Sequence, residues 1–187
     1  MKKIFLDEDT LIQDAFRLGV KIFESGFRPT FIVGLWRGGS SVGIYVQECL
    51  QTLGIDTDHI SIRTSYRGLP SYQSMVNAPE TIRVHGTQYL IENLNADDSL
   101  LIVDDVFSTG LSIEATIVRL RKHLKKNLPK DIRIATLYKR KDYKRTDLAL
   151  NYFLHETESW LVFPYELKGL SAEEIELHKP YLRDLIC

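Results

Sequence analysis

Short apolar segments alternate along this chain with amphipathic segments of helical period, and this alternation constrains the fold more than any other feature. The segments Phe31–Leu35, Ser99–Val103 and Ile132–Tyr138 are rich in apolar residues and have the length of strands. Strands of this kind are typical of a sheet that is covered by helices on both faces. We therefore predict an α/β fold with a mostly parallel central sheet flanked by helices.

The remaining segments complete this pattern without a linker or repeat, so we predict a single domain over residues 1–187. Thr10 with Gln13, and Ser171 with Glu174, have the spacing of capping boxes that open a first and a last helix. The first helix is predicted within Leu11–Phe23, and other helices within Val42–Leu53, Tyr89–Leu94 and Ile113–Leu124. Further strands are predicted over His59–Arg63 and Asn151–Leu154, and a long loop or hairpin over residues 64–86.

Composition excludes several classes of protein. A net charge of −1 argues against bulk electrostatic binding of nucleic acid. The two cysteines, Cys49 and Cys187, lack metal-ligand spacing and are too few for a disulfide framework, so a cytoplasmic location is expected. The longest apolar runs fall well short of the roughly 18 residues needed to cross a bilayer, so no membrane span is expected.

Two adjacent carboxylates, Asp104 and Asp105, follow the apolar segment Ser99–Val103. Such a pair is costly to bury unless a metal ion or a hydroxyl-rich ligand contacts it. Small and hydroxyl residues then lead into the next helix, where unsatisfied N–H groups and the helix dipole favour a phosphate. The two features together predict a ribose 5-phosphate site. The alternative is an ordinary strand–turn–helix with solvated aspartates.

A second turn, Arg37-Gly38-Gly39, follows the strand Phe31–Leu35 and also opens a helix. The guanidinium of Arg37 provides a permanent charge and a forked set of donors suited to pyrophosphate oxygens. A turn of this composition is more often an ordinary surface turn, so its assignment depends on the first site.

The segment Leu101–Gly110, LIVDDVFSTG, resembles the binding signature for 5-phosphoribosyl-1-pyrophosphate (PRPP) of type I phosphoribosyltransferases. The resemblance implies that fold, with a small hood formed by the N- and C-terminal segments, and a homodimer. It implies Asp104 and Asp105 on the ribose hydroxyls, where they also serve a Mg²⁺ ion that bridges the hydroxyls and the pyrophosphate. The residues implied around the 5-phosphate are Ser108, Thr109, Gly110, Leu111 and Ser112, and Val106 and Phe107 are also among the implied substrate-binding residues.

The turn at Arg37 resembles the pyrophosphate loop of the xanthine–guanine and hypoxanthine branches of this family. In those loops a non-proline cis peptide precedes the basic residue, which implies a cis bond at Trp36–Arg37. The pair Ser65-Tyr66 resembles the start of the family's flexible loop, which closes over PRPP and excludes water. An ordinary exposed hairpin is the alternative for that segment.

The resemblance also implies a base pocket. Lys139 corresponds in type and rough spacing to the lysine that donates to the purine 6-oxo group, Trp160 to the aromatic residue that stacks on the base, and Leu161 to the residue whose backbone contacts the base edge. The alternatives are a solvated basic stretch for Lys139 and a core or interface position for Trp160.

One residue departs from the family pattern. Most 6-oxopurine enzymes have an aspartate at the position of Ser108, and a serine is a poor general base. With Ser108 included, the implied catalytic set is Arg37, Asp104, Asp105 and Ser108. The expected reaction is Mg²⁺-dependent transfer of phosphoribose from PRPP to a purine in salvage, with hypoxanthine as the expected base. The alternatives are xanthine, guanine or adenine, and a PRPP-sensing regulator without catalysis.

Overall fold

The computed structural model describes residues 3–66, 82–141 and 143–186. Within them, six strands form one sheet in the order β4-β3-β2-β5-β6-β7. The neighbouring strands are parallel except for β4, which runs antiparallel to β3. The α/β fold predicted from the alternating pattern is confirmed.

The described elements include every predicted strand and helix, together with strands at 3–5, 82–85 and 160–162 and a short helix at 183–186 that were not predicted. The strands are β1 (Lys3–Phe5), β2 (Phe31–Trp36), β3 (Asp58–Tyr66), β4 (Ile82–His85), β5 (Ser99–Phe107), β6 (Asp131–Arg140), β7 (Tyr152–Thr157) and β8 (Trp160–Val162). The α-helices are α1 (Glu8–Glu24), α2 (Gly38–Thr52), α3 (Gln88–Asn93), α4 (Leu111–Leu124), α5 (Ala172–His178) and α6 (Arg183–Ile186).

Strand β5 lies at the centre of the sheet and is buried on both faces. Leu101 and Val103 pack into the hydrophobic cluster formed with α1 and α2. Leu100 and Ile102 pack into the opposite cluster, formed with α3 and α4. Full burial of each such side chain stabilises the fold by roughly 1.5–3 kcal/mol, which explains why this strand reads as an unbroken apolar run.

Helix α1 begins earlier than the sequence analysis predicted. Asp7 is its N-cap and accepts a hydrogen bond from the Thr10 backbone N–H at 2.8 Å. The Thr10 hydroxyl donates to the same carboxylate at 2.7 Å, so Thr10 lies inside the first turn. The predicted start at Thr10 is wrong because aspartate is a strong N-cap and its charge favours the positive end of the helix dipole. The capping box of Ser171 and Glu174 is confirmed.

Several strands continue past their predicted ends, among them β5, β3 and β7, the last of which runs on to Thr157. β2 pairs with β5 only as far as Val103, but β6 pairs with β5 up to Phe107, which keeps Asp104 and Asp105 in the strand. β3 likewise runs on to Tyr66, where it pairs with Ile82 of β4. Residues 67–81, the rest of the predicted long loop, lie outside the described part of the chain.

The N- and C-terminal segments form the hood that the family resemblance implied. β1 pairs with β8 in parallel, as a separate two-stranded sheet. The ring of Phe5 stacks on that of His178 with centroids 3.6 Å apart, and the Lys3 ammonium lies 2.6 Å from the Glu174 carboxylate. Among the described helices, none has the length and apolarity to cross a membrane.

Candidate active site

A cavity of about 250 Å³ opens at the carboxyl ends of β5 and β6, the edge of a parallel sheet where ligands bind. Its walls come from β5, the loop into α4, the end of β6, and the hood. The lining residues are Asp104, Asp105, Val106, Phe107, Ser108, Thr109, Gly110, Ser112, Ile113, Arg140, Trp160, Leu161, Phe163 and Glu166. Of the residues predicted around the 5-phosphate, Leu111 does not line the cavity; it starts α4 and is buried.

A second cavity of about 230 Å³ adjoins the first and shares Asp104, Asp105, Ser112 and Glu166 with it. It extends to Arg37 and Gly38. The structure thus brings together the acidic pair and the Arg-Gly-Gly turn, which lie 67 residues apart in the sequence when counted from Arg37 to Asp104.

The acidic pair is held by backbone and side-chain donors. The Asp104 carboxylate accepts from the Asp105 N–H at 3.0 Å, and the Asp105 carboxylate accepts from the Val106 N–H at 2.7 Å. The Tyr165 hydroxyl donates to the second Asp105 oxygen at 2.6 Å. Burial, and next the charge of Asp105, raise the pKa of Asp104 well above its ordinary value. Because this charge is unfavourable as it stands, the pair favours a cation or hydroxyl donors.

The segment predicted to bind the 5-phosphate leads into the N-terminus of α4, where the helix leaves N–H groups that could bind an anion. Gly110 caps the helix with φ 81°, a left-handed conformation that favours glycine. A Cβ on Gly110 would also lie 2.6 Å from the Thr146 hydroxyl oxygen. On the other side, the Thr64 hydroxyl of β3 donates to Ser112 at 3.4 Å. The left-handed φ and the close approach to Thr146 both make glycine necessary at position 110 for the loop in this shape.

The Arg37 turn packs directly against the acidic pair. The peptide bond between Trp36 and Arg37 is cis, as the resemblance implied. A Cβ on Gly38 would lie 1.8 Å from an Asp105 carboxylate oxygen, and one on Gly39 would lie 2.3 Å from the Val103 carbonyl oxygen. The two glycines therefore allow α2 to begin in contact with β5. The Arg37 guanidinium is about half exposed and lies 4.0 Å from the Glu166 carboxylate.

Of the residues predicted to contact the base, the structure brings two to the cavity. Trp160 and Leu161 of β8 line it. Lys139 is not among the lining residues; its ammonium donates to Glu156 on β7 at 2.8 Å. Its neighbour Arg140 lines the cavity instead and is only 6% exposed. Because neighbouring residues of a strand point to opposite faces, only one of the two reaches the cavity.

Aromatic rings surround the Arg140 guanidinium. Its central carbon lies 3.8 Å from the ring centroid of Tyr143 and 5.7 Å from that of Trp160. One of its nitrogens also donates to the Glu158 carbonyl at 3.4 Å. A planar guanidinium beside an indole suits a flat, carbonyl-bearing ring.

The residues predicted for the start of the flexible loop, Ser65 and Tyr66, are the last two residues of β3. The Ser65 hydroxyl forms a hydrogen bond of 2.7 Å with the His85 ring nitrogen Nε2 of β4. The continuation of the predicted loop, from residue 67, lies outside the described residues.

Besides Arg140, three functional candidates escaped the sequence analysis. Tyr165 contacts Asp105, and Glu166 lines both cavities. Burial and the nearby aspartates raise the pKa of Tyr165, and burial raises that of Glu166. Lys179 is only 4% exposed and donates to the carbonyls of Phe163 and Pro164, the two residues before Tyr165. The first two follow Trp160 in one aromatic segment, which was a usable signal; nothing in the sequence marked Lys179.

The geometry can be compared with known proteins. The family model described as a phosphoribosyl transferase domain matches residues 3–169, which is most of the chain. The chain belongs to the phosphoribosyltransferase family. The α/β fold of this phosphoribosyltransferase is the type I fold of that family, and solved structures similar to it include purine phosphoribosyltransferases. No curated protein matches the chain.

Several solved structures are similar over nearly the whole chain. A purine phosphoribosyltransferase from Pyrococcus horikoshii Ot3 is 27% identical with a TM-score of 0.64, over 91% of this chain and 99% of that one. A xanthine-guanine-hypoxanthine phosphoribosyltransferase from Helicobacter pylori is 16% identical with a TM-score of 0.63, over 89% and 95%. A hypothetical protein from Neisseria gonorrhoeae with bound ppGpp is 17% identical with a TM-score of 0.69, over 97% and 98%. The last two likenesses concern the fold alone.

Proposed function

We propose that this phosphoribosyltransferase transfers the 5-phosphoribosyl group of PRPP to a 6-oxopurine base, with release of pyrophosphate and with Mg²⁺ as its cofactor. The observation that carries the proposal is the continuity of the two cavities. Residues of the 108–112 loop, the acidic pair and the arginine turn line these adjoining cavities, which supports a ligand with the 5-phosphate, ribose and pyrophosphate of PRPP.

Each part of the donor has a matching group. The 5-phosphate is assigned to the N–H groups and hydroxyls of residues 108–112, and the ribose hydroxyls to Asp104 and Asp105. The pyrophosphate is assigned to Arg37 and the adjacent backbone of Gly38 and Gly39. Because the transition state of glycosyl transfer carries positive charge on the ribose, catalysis rests on orienting the donor and on stabilising the departing pyrophosphate.

The acidic pair also fits the implied Mg²⁺ ion. Carboxylate oxygens are ligands that Mg²⁺ prefers, and the raised pKa of Asp104 indicates a place where added positive charge is favourable. The described residues contain no group of three or more metal-ligating side chains. Asp104 and Asp105 would therefore hold the ion together with donor oxygens, as Mg²⁺ commonly binds phosphate substrates. When bound, the ion neutralises charge on the pyrophosphate.

The base is assigned to the part of the cavity between Trp160 and the loop after β5. The indole offers a flat apolar face, Leu161 offers backbone groups, and Arg140 offers N–H donors for a ring carbonyl. Donors favour a 6-oxopurine over adenine, whose 6-amino group needs an acceptor. Lys139 as the donor stays a prediction from the family resemblance. Hypoxanthine remains the expected base, and the names of the purine neighbours support a purine.

A regulator that senses PRPP without catalysis is the second candidate, and Ser108 is the observation that favours it. Ser108 lines the cavity where most 6-oxopurine enzymes have an aspartate, so acid–base help to the base is missing at that position. We favour the enzyme because a formed base pocket has no purpose in a protein that only senses PRPP.

Two measurements on the purified protein separate these possibilities. Calorimetric titration with PRPP and Mg²⁺ tests the donor site, and absorbance assays with hypoxanthine, guanine, xanthine and adenine test transfer. We expect binding and nucleotide formation with hypoxanthine. Binding without turnover on any of the four bases would favour the regulator, and absence of PRPP binding would contradict both. Homodimer formation and a cytoplasmic location stay predictions; light scattering tests the first.

A further inference from the structure

The hood reaches the donor site through one short segment, Phe163–Glu166, which we call the hood turn. Two adjacent side chains of this turn contact the two loops assigned to PRPP. The Tyr165 hydroxyl donates to Asp105 at 2.6 Å, and the Glu166 carboxylate lies 4.0 Å from the Arg37 guanidinium. One turn therefore contacts both the acidic pair and the arginine turn.

The hood turn is held in shape by bonds of its own. The Glu166 N–H donates to the Phe163 carbonyl at 3.0 Å, and the Phe163 N–H donates to the Glu166 carboxylate at 3.1 Å. These reciprocal bonds close the segment on itself. The ring of Phe163 stacks on that of Tyr165 with centroids 5.5 Å apart and an angle of 10°. The direction of the Tyr165 side chain is therefore fixed from within the turn.

A buried lysine fastens this turn to the last part of the chain. The Lys179 ammonium donates to the Phe163 carbonyl at 3.2 Å and to the Pro164 carbonyl at 2.7 Å. A buried charge needs such partners, and a displacement of the turn would leave the ammonium without them. Burial lowers the pKa of Lys179, and the nearby Glu166 carboxylate opposes that shift. The turn is thus anchored on the side away from the donor site.

The contact between Tyr165 and Asp105 leaves no room for a side chain at Gly38. A Cβ on Gly38 would lie 2.2 Å from the Tyr165 hydroxyl oxygen and 1.8 Å from an Asp105 oxygen. The first turn of α2, the end of β5 and the hood turn meet at this point. The Asp105 carboxylate accepts from Val106 through one oxygen and from Tyr165 through the other, so both of its oxygens are oriented.

We infer that the hood turn positions the phosphoribosyl donor: Tyr165 fixes the orientation of the Asp105 carboxylate, and Glu166 does the same for the Arg37 guanidinium. Tyr165 is thus a positioning residue, since it acts on the donor through Asp105. The inference rests on the proposed function, because it takes PRPP as the ligand of Asp105. It adds a role for the hood in holding the donor, whereas β8 contacts the base.

The test is Tyr165→Phe, which removes one hydroxyl and keeps the ring stack on Phe163. We expect the Kd for PRPP with Mg²⁺, measured by calorimetry, and the KM for PRPP to rise about tenfold, the effect of roughly one charge-assisted hydrogen bond. The KM for the base and the melting temperature should stay close to those of the wild type. Tyr181→Phe, the same change at an exposed tyrosine of the hood segment, is the matched control and should change neither constant.

A double-mutant cycle tests whether Tyr165 acts through Asp105. In the Asp105→Asn background, Tyr165→Phe should weaken PRPP binding much less than in the wild type, because the oriented carboxylate is already gone. Equal effects in both backgrounds would overturn the inference, as would unchanged or tighter PRPP binding by Tyr165→Phe alone. These outcomes leave the proposed function intact if the wild type binds PRPP. A wild type that does not bind PRPP overturns both.

Discussion

The half of the cavity assigned to the PRPP donor and the half assigned to the base differ in how the chain builds them. The donor half consists mostly of one contiguous segment, residues 104–112, and its chemistry follows from the order of residues along the chain. The base half is assembled from the end of β6 and from β8, and a one-residue difference on β6 decides whether Lys139 or Arg140 faces the cavity. Contiguous loops are therefore readable from sequence, whereas pockets between strands depend on which face each residue takes.

The loops of the donor half also have less room for added side-chain atoms than the base half has. Gly38, Gly39 and Gly110 stand where a Cβ would collide with neighbouring atoms, so the loops have one way to pack. The base half has larger side chains, and Trp160 is 40% exposed. We expect substitutions in the donor half to affect PRPP alone, and those in the base half to change which base is used.

The strongest test of the donor half is the double substitution Asp104→Asn and Asp105→Asn. Each carboxylate is expected to contribute roughly 1.5 kcal/mol or more through a charge-assisted contact, so PRPP affinity should fall about 100-fold. Calorimetry with PRPP and Mg²⁺ measures the loss. A double variant that binds PRPP like the wild type would remove the acidic pair from the donor site.

The base half is tested by comparing two neighbours on β6. Arg140→Gln should raise the KM for hypoxanthine about tenfold, since one donor to a ring carbonyl is weakened, and should change the KM for PRPP little. Lys139→Gln is the matched control, and we expect less than about a threefold change in either constant because its side chain pairs with Glu156. The reverse ranking would return the role of base donor to Lys139. Melting temperatures of both variants separate a loss of base binding from a loss of folding.

The restricted packing of the donor half is tested by Gly110→Ala against Gly26→Ala. Both glycines have left-handed φ, 81° and 83°, but a Cβ on Gly26 has no neighbour within 4 Å. The strain of a left-handed alanine should cost roughly 1 kcal/mol at either site, and the clash with Thr146 should add to it only at Gly110. We expect a drop of about 2–4 °C in the melting temperature for Gly26→Ala and a larger drop for Gly110→Ala. Equal drops in melting temperature would show that the loop at Gly110 adjusts to the added Cβ without a further loss of stability.

The smallest expected effect concerns stability and pH. Burial and the charge of Asp105 raise the pKa of Asp104 in the folded chain, while its value in the unfolded chain stays near the ordinary value of about 4. The folded state therefore holds this proton more tightly, and its stability falls as the pH rises from about 4 through the raised pKa. Asparagine carries no charge, so Asp104→Asn without ligand should melt about 2–4 °C higher at pH 7. The gain should disappear near pH 4; a gain that persists there would have another cause.

Much of the fold was predictable because its signals are local. The apolar segments and the periodic helices gave the α/β class, and the resemblance of residues 101–110 gave the family. The resemblance of the Arg37 turn gave the cis bond at Trp36–Arg37. The ends of β3 and β5 were predicted too early because pairing with β4 and β6 extends them. Arg140, Tyr165 and Lys179 were missed for a related reason: their places in the site depend on contacts between segments far apart in the chain.

The pairing of β1 with β8 has a consequence for folding during synthesis. Lys3 of β1 lies beside Trp160 of β8, so β1 cannot form its strand pairing until β8 has been synthesised. Residues 31–112, which carry the whole donor half except the hood turn, leave the ribosome well before that. Since a contact of long sequence separation closes late and slowly, we expect nascent chains to present a nearly complete donor half while the wall that holds Trp160 is still missing.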